Sequence, residues 1–167
     1  MAFLSALFVV LKLTYVGDAN TVERSLAIAA AHLNVRFSVA APAAYQFDTD
    51  FLKKLENEFP QAAIEVTTDP VRAVHDADAI YTDVWTSMGQ EAEAAERREA
   101  LQPFQVNADL ISAAPMRAIF LHCLPARRGE EVTDEVIDSP QSAIIAQAGN
   151  RLHVQKGLMA WLLASQS

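Results

Sequence analysis

Short apolar segments alternate with segments of helical pattern along this chain, and that alternation most restricts the fold. The apolar segments cover residues 11–16, 35–40, 63–67, 77–81 and 118–121. Helical patterns cover residues 21–33, 48–59, 91–101, 107–113, 133–137 and 150–164, with a short helix opened by Asp69 and Pro70. Strands that alternate with helices at this spacing predict a single α/β domain with a doubly wound, Rossmann-like parallel sheet.

Length, composition and charge exclude several classes of protein. The chain has 167 residues, of which 51% are hydrophobic and 20% charged, and this predicts one globular domain. Its net charge of −8 supplies no basic face for nucleic acid, so we expect no nucleic-acid partner. The single cysteine, Cys123, excludes an internal disulfide, and the sequence shows no CxxC or Cys/His ligand pattern, so we expect no metal and a reducing cytoplasm.

Residues 1–10 are mostly apolar and need a separate interpretation. A membrane-spanning helix needs about 20 apolar residues. Lys12 interrupts this segment early, and neither a basic region before it nor a cleavage site after it is present, so we expect no membrane association. We interpret residues 1–10 as an N-terminal extension or a truncation remnant, and residues 11–167 as one domain with a C-terminal helix.

Polar sequence follows three of the predicted strands, at residues 17–20, 82–89 and 122–125. Ligands of parallel α/β sheets bind at the carboxyl ends of the strands. The three segments therefore predict one site assembled from three loops.

The first loop is a poor match to a dinucleotide-binding turn. Gly17 is its only glycine, where such a turn needs three. The helix that follows offers free backbone amides to an anionic ligand group. From these residues alone, Asp18 and Asn20 as simple helix caps are the favoured interpretation.

The second loop carries Asp83, directly after a buried strand. A carboxylate is costly there unless it is paired, and the amine of a cationic substrate is a suitable partner. Ser87 adds a hydroxyl, Met88 an adaptable apolar wall and Gly89 a sharp bend. For Ser87 and Gly89, a role in capping or turning the chain remains an alternative.

The third loop places Cys123 at the mouth of the sheet, where its thiol would orient or polarise an amine; an inert buried thiol is the alternative. For His122 we favour an orienting or core role, because no activating carboxylate is identifiable beside it. Residues 127–131 are interpreted as a solvated surface loop. Arg151 would clamp a phosphate or carboxylate, unless it forms a simple salt bridge.

Taken together, these segments resemble the second domain of the ornithine carbamoyltransferases, from about Leu11 to the end of the chain. The most specific matches are Asp-x-x-x-Ser-Met-Gly, beginning at Asp83, and His-Cys-Leu-Pro, beginning at His122. The remaining matches are residues 15–18, 103–107 and 150–156.

The resemblance implies a two-domain enzyme that transfers a carbamoyl group from carbamoyl phosphate to ornithine, giving citrulline and phosphate, with no metal or organic cofactor. It implies a role in arginine biosynthesis or the urea-cycle type of step. Ornithine would be held by Asp83, through its α-amino group, and by Ser87 and Met88, with Asn20 in the first loop. Cys123 would be catalytic, against the reacting amine. Leu124 would offer its carbonyl near the carbamoyl group, and Arg151 would help to hold carbamoyl phosphate.

Three departures from the family pattern limit that expectation. Thr21 occupies the place of a second asparagine that binds ornithine, which weakens a substrate carboxylate contact and leaves putrescine or acetylornithine open. Gly149 replaces a glutamate before Asn150 and Arg151. The Ser-x-Arg-Thr-Arg and His-Pro-x-Gln motifs, which the family carries in its first domain, are missing.

The last helix carries a wide apolar face that includes Trp161. It either packs on this domain or covers a neighbouring domain or subunit. In the resembling family it packs against the first domain, so we expect the face to be used in homo-oligomerisation, to meet a missing phosphate-binding domain, or to cover residues 1–10.

The sequence leaves two functions open. The chain is either a transferase that is inactive without a carbamoyl-phosphate domain, or a non-catalytic amino-acid-binding module or degenerate fragment.

Overall fold

The computed structural model describes residues 11–19, 21–87 and 89–164. They form a five-stranded, wholly parallel sheet in the order β3-β2-β1-β4-β5. The predicted doubly wound α/β fold is therefore confirmed. The strands are β1 (Lys12–Val16), β2 (Arg36–Ala40), β3 (Ile64–Thr67), β4 (Ala79–Thr82) and β5 (Ile119–His122).

Seven α-helices connect or follow these strands within the described ranges. Their bounds are α1 (Thr21–Leu33), α2 (Thr49–Glu58), α3 (Pro70–Val74), α4 (Ala94–Leu101), α5 (Ala108–Ser112), α6 (Asp134–Ile137) and α7 (Ile144–Ala164). Single turns of 3-10 helix occur at Ala43–Tyr45, Glu91–Glu93 and Gln102–Phe104, so the helix predicted over 91–101 divides into two parts.

Local side chains explain where several helices begin. The Asp48 carboxylate accepts a hydrogen bond from the Phe51 amide at 2.8 Å and starts α2. Asp69 accepts from the Arg72 amide at 3.0 Å, with Pro70 in the first turn of α3 as predicted. Each cap satisfies a backbone donor that the helix itself leaves free.

Successive residues of the strands face opposite sides of the sheet and divide the core in two. Tyr15 belongs to one apolar cluster, with the alanines of α1 and with Phe37. Val16 belongs to the other, with residues of α3, α5 and α6 and with Phe120. Burial on both faces explains why the strands are apolar throughout instead of alternating with polar residues.

The strand order reverses direction between β1 and β4, which are neighbours in the sheet but not in sequence. In this class of fold, the crevice beyond the carboxyl ends of such a strand pair is the usual place for a ligand. Gly17 follows β1 and Asp83 follows β4, so the first two predicted loops meet at this switch point. The third loop follows β5, which pairs with β4.

The last helix, α7, begins six residues before the position predicted from the sequence. Its first turn is anchored by the buried Ile144, but every residue from 148 to 164 is exposed, including Trp161 at 65%. Within the described ranges, only the start of α7 packs on its own domain, and residues 148–164 are left exposed. No helix within the described ranges combines the length and the apolar character needed to cross a membrane.

Candidate functional site

The first loop turns sharply at Gly17, whose φ of 142° disfavours any residue with a side chain. A Cβ at this position would also lie 3.3 Å from the Tyr15 ring. The loop then presents Asp18, which is buried and forms an ion pair with Arg97 of α4. The Asp18 carboxylate is thus engaged by a guanidinium, and its role as a helix cap stays a prediction because Asn20 lies outside the described residues.

Arg97 joins the first loop to the second. Besides its ion pair with Asp18, its Nε donates a hydrogen bond of 2.6 Å to the Trp85 carbonyl, and its guanidinium lies 5.0 Å from the centre of the Tyr45 ring. The side chain is only 6% exposed. A planar guanidinium with several donors suits this buried junction better than a lysine would.

The second loop carries Asp83, which is 8% exposed at the end of β4. One of its carboxylate oxygens accepts hydrogen bonds from the Val84 amide at 2.7 Å and from the Cys123 thiol at 2.9 Å. No lysine or arginine of the described ranges forms an ion pair with Asp83. Ser87 lies in the same loop, half-buried, with its amide bonded to the Gln90 side chain at 3.1 Å.

Cys123 contacts the second loop through its hydrogen bond to Asp83. Burial, followed by the neighbouring Asp83 carboxylate, raises the pKa of the thiol to about 12. The sulfur is therefore a neutral thiol at neutral pH. It is suited to polar contact with an amine and unsuited to act as a thiolate nucleophile.

His122 is buried and uses both ring nitrogens. The Leu124 amide donates to Nδ1 at 2.8 Å, so the proton resides on Nε2, which lies 3.2 Å from the Glu131 carboxylate. The expectation that no carboxylate accompanies His122 is therefore wrong. Glu131 is fully buried, so assigning it to a solvated loop is wrong too, because the chain after Pro125 returns it to the end of β5.

Leu124 lines the same cavity as His122 and Cys123. Its φ of 59° is unusual for a leucine and costs on the order of 1–2 kcal/mol. The contact between its amide and His122 Nδ1 holds this conformation. The orienting role expected for His122 is consistent with this contact.

Asp83, His122 and Cys123 bring three potential metal-ligating atoms within 4.8 Å of one another. A metal would need a free imidazole nitrogen, but both nitrogens of His122 are engaged in hydrogen bonds. It would also need a thiolate, which the raised pKa of Cys123 opposes. The cluster suits hydrogen bonding to an amine better than metal coordination.

A cavity of about 360 Å³ opens beside this cluster and is lined by Tyr81, Cys123, Leu124, Gln147 and Arg151, among others. The Gln147 Oε1 accepts from the His122 amide at 3.0 Å, which fixes the first turns of α7 against β5. One helical turn later, the exposed Arg151 reaches the cavity.

A larger cavity of about 740 Å³ lies at the opposite, amino edge of the sheet. Its cations are already neutralised, since Lys12 and Arg36 both contact Asp76 and Arg72 contacts Glu65. The smaller cavity is the better candidate site because it lies at the carboxyl edge of the sheet and is lined by Arg151, which forms no ion pair within the described ranges.

Of the predicted site residues, Asp83 and Cys123 are in direct contact, and Leu124 and Arg151 line the same cavity as Cys123. Ser87 lies in the adjoining loop. Asn20 and Met88 fall outside the described residues.

Sequence reasoning missed Glu23 and Arg97. Both are buried charged residues in segments predicted to be ordinary helices. Glu23 is fully buried in the first turn of α1, and burial raises its pKa to about 8. The signal available in the sequence is its spacing: Glu23 lies four residues before Ala27 and seven before Ala30, on the same face of the helix.

A doubly wound α/β domain with a polar cavity at the carboxyl edge of its sheet is, as a class, a domain that binds small molecules. Residues 10–162 match the family described as "Aspartate/ornithine carbamoyltransferase, Asp/Orn binding domain". The chain therefore belongs to the aspartate/ornithine carbamoyltransferase family and corresponds to its Asp/Orn-binding domain.

Named relatives agree with this assignment. Ornithine carbamoyltransferase from Thermococcus kodakarensis is 54% identical over 155 residues, covering 92% of this chain and 49% of that protein. The structure of ornithine carbamoyltransferase from Pyrococcus furiosus is 53% identical, with a TM-score of 0.83 over 90% of this chain and 49% of that one. The anabolic enzyme from Campylobacter jejuni is 32% identical, with a TM-score of 0.85 over 96% and 57%. The chain thus spans about half the length of these relatives.

Proposed function

We propose that this chain is the ornithine-binding part of an ornithine carbamoyltransferase. The reaction would transfer the carbamoyl group of carbamoyl phosphate to the side-chain amine of ornithine, giving citrulline and phosphate in arginine biosynthesis. The observation that carries the proposal is the Asp83–Cys123 contact, which places a carboxylate that has no ion pair within the described ranges beside a neutral thiol, at the carboxyl ends of β4 and β5.

The ornithine side of the site would be built around Asp83. Within the described ranges, no hydrogen bond is formed by its second carboxylate oxygen and no lysine or arginine pairs with it. This oxygen would accept a charge-assisted hydrogen bond from the α-amino group of ornithine. Ser87 and Met88 would form the adjoining wall, and Asn20 would contribute from the first loop. Thr21 offers only a hydroxyl where the family pattern has a second asparagine, so the substrate carboxylate would be held less firmly.

The chemical step would depend on orientation more than on covalent catalysis. A neutral amine attacks the carbonyl carbon of the carbamoyl group, and the phosphate departs. Cys123 would contact the attacking amine through its protonated thiol. The Leu124 carbonyl would face the carbamoyl group, and Arg151 would stabilise charge on the phosphate.

The rest of the carbamoyl phosphate site would come from a carbamoyl-phosphate domain outside this chain. The exposed apolar residues of α7 offer a surface for such a domain or for a further copy of the chain. We therefore propose residues 11–167 as one domain of a homo-oligomeric or completed enzyme. A cytoplasmic location, expected from the single unpaired cysteine, belongs to the same proposal.

Citrulline formation tests this function directly. Ornithine and carbamoyl phosphate would be added to the purified chain alone, and to the chain mixed with a separately produced carbamoyl-phosphate domain of the Thermococcus kodakarensis relative. We expect no citrulline from the chain alone and measurable citrulline from the mixture, abolished by Cys123→Ala. Citrulline from the chain alone would contradict the requirement for a second domain.

The alternative is a non-catalytic amino-acid-binding module. This chain supplies only Leu124 and Arg151 of the residues expected to contact carbamoyl phosphate, and that favours the binding module. The same experiment separates the two functions. Ornithine binding without citrulline in any mixture would support the module and contradict the transferase.

A further inference from the structure

One face of the sheet is incompletely covered beside β5. On the opposite face, Ile80 and Phe120 are completely buried. On this face, Ile119 at the start of β5 is 42% exposed and Leu121 is half-buried. Parallel sheets are normally buried on both faces, so an apolar part of this sheet lacks its cover within the described ranges.

A groove of about 490 Å³ lies over this part of the sheet, between β5 and α7. It is lined on the sheet side by Ile119 and Leu121, and on the helix side by the exposed Ala146 and Val154, among others. Among the described residues that line it, only Arg151 carries a charge. The groove therefore suits an apolar occupant.

The chain enters β1 on the same face of the sheet. Leu13 pairs with Ala79 of β4, and Ala79 pairs with Ile119, so these side chains point to one side. The Leu11 carbonyl accepts a hydrogen bond from the Arg36 amide at 3.0 Å, which continues the extended backbone before β1. Because Leu11 precedes Leu13 by two residues, its exposed side chain points to that side as well.

The ten residues before Leu11 can reach the groove from this position. Two strand spacings separate β1 from β5, so Leu13 and Ile119 are about 10 Å apart. Ten extended residues span up to about 33 Å. A segment attached at this distance has an effective concentration on the order of millimolar, which favours it over an occupant that must associate from solution.

The composition of residues 1–10 matches the groove. Every one of them except Ser5 is apolar, and none has a charged side chain. Water-exposed apolar side chains and a water-exposed apolar groove both gain free energy when they are brought together.

We propose that the groove between β5 and α7 is a docking site for residues 1–10 of the same chain. These ten residues lie outside the described residues, so the proposal rests on the groove, on the face at which Leu11 enters the sheet and on the composition of the segment. Arg151 lines both the groove and the cavity of the candidate site, so a docked segment would also support this part of α7. Trp161 is not part of the groove lining and stays available to a further domain or copy.

Thiol accessibility in the full chain tests the proposal. Ala146→Cys places a thiol in the groove. Ala148→Cys is a matched control, because this likewise exposed residue lines the cavities at the site and not the groove. Each would be made alone and together with Leu7→Asp and Phe8→Asp, which add two charges to the segment. Alkylation by iodoacetamide would be followed on separate peptides, so that Cys123 is counted apart, and normalised to the rate in urea.

The segment substitutions should expose the groove and nothing else. We expect Leu7→Asp with Phe8→Asp to raise the alkylation rate of Ala146→Cys about tenfold or more, and to change that of Ala148→Cys by less than about twofold. Added carboxylates disfavour a nearby thiolate, so a faster reaction cannot come from their charge. Phe8→Ser, which adds no charge, should give a smaller increase and replaces the double substitution if circular dichroism shows that the latter disturbs folding.

Each other result would overturn the proposal. Equal rates for Ala146→Cys with and without the segment substitutions would show that residues 1–10 do not cover the groove. Protection that is lost on about a hundredfold dilution, with the segment intact, would assign the groove to a second copy of the chain. Protection that arises only when a carbamoyl-phosphate domain is added would assign it to that domain. The experiment measures neither ornithine binding nor citrulline, so its failure leaves the proposed function intact.

Discussion

Replacing Glu23 with leucine should stabilise the protein, and the gain should grow with pH. The side chain is fully buried in the first turn of α1, its carboxylate oxygens lack partners at normal distance among the described residues, and apolar residues such as Ala27 surround the same helix face. Leucine has a similar volume and needs no hydrogen bond. The substitution therefore removes the cost of burying a polar group without opening a cavity.

The magnitude follows from the pKa difference. The Glu23 carboxyl titrates near 4.5 in the unfolded chain and at about 8 in the folded one. Between these values the folded state holds a proton that the unfolded state has lost, so the wild-type free energy of unfolding falls as pH rises. The full difference in pKa corresponds to a loss of about 5 kcal/mol in the free energy of unfolding, as an upper limit. Relaxation of the protein around the carboxyl group reduces this loss to about 2–4 kcal/mol. Below pH 4.5 this contribution disappears.

Urea unfolding followed by circular dichroism at pH 5, 6, 7 and 8 measures the effect. The free energy of unfolding of Glu23→Leu minus that of the wild type should rise by about 1 kcal/mol per pH unit across this range. Glu58→Leu, at an exposed position on α2, should show no such slope. If the difference in free energy of unfolding between Glu23→Leu and the wild type does not change with pH, the argument is refuted, because Glu23 then titrates alike in the folded and unfolded states.

Three further substitutions test other parts of the structure. Asp76→Asn should lower the free energy of unfolding by about 1 kcal/mol at pH 7, because Lys12 donates a hydrogen bond to the half-exposed Asp76 carboxylate and lowers its pKa to about 2. In acid titrations, this difference from the wild type should vanish as pH falls from about 4 to 2. Arg97→Leu should cost about 3 kcal/mol or more in urea unfolding, because it leaves the buried Asp18 carboxylate without its partner. Trp161→Ser should change stability by less than about 0.5 kcal/mol but reduce self-association in light scattering, and a monodisperse wild-type monomer would contradict this use of α7.

Local sequence patterns predicted most of the fold because the boundaries of these strands and helices depend on residues close in sequence. Each strand lies within two residues of its predicted bounds, and Asp48, Asp69 and Asn107 cap helices where the sequence indicates. The early start of α7 was missed because Gly149 and Asn150 are weak helix formers and resembled a boundary. Tertiary contact of Gln147 with β5 continues the helix through them.

The candidate site was predictable only in part. Asp83 and Cys123 follow neighbouring strands of a parallel sheet, so topology alone brings them together. The ion pair between Asp18 and Arg97 joins residues 79 positions apart, and no local pattern signals it. Glu131 was predicted to be solvated because its neighbours are charged, and only the return of the chain to β5 reveals its contact with His122.

The central claim is that this chain binds ornithine through Asp83. Isothermal titration of ornithine into the wild type and into Asp83→Asn, with circular dichroism as a check on folding, tests it most directly. We predict saturable binding of one ornithine per chain and at least tenfold weaker binding in the variant, because the amide cannot form a charge-assisted bond to the ammonium group. No binding by the wild type, or equal binding by both proteins, would contradict the account.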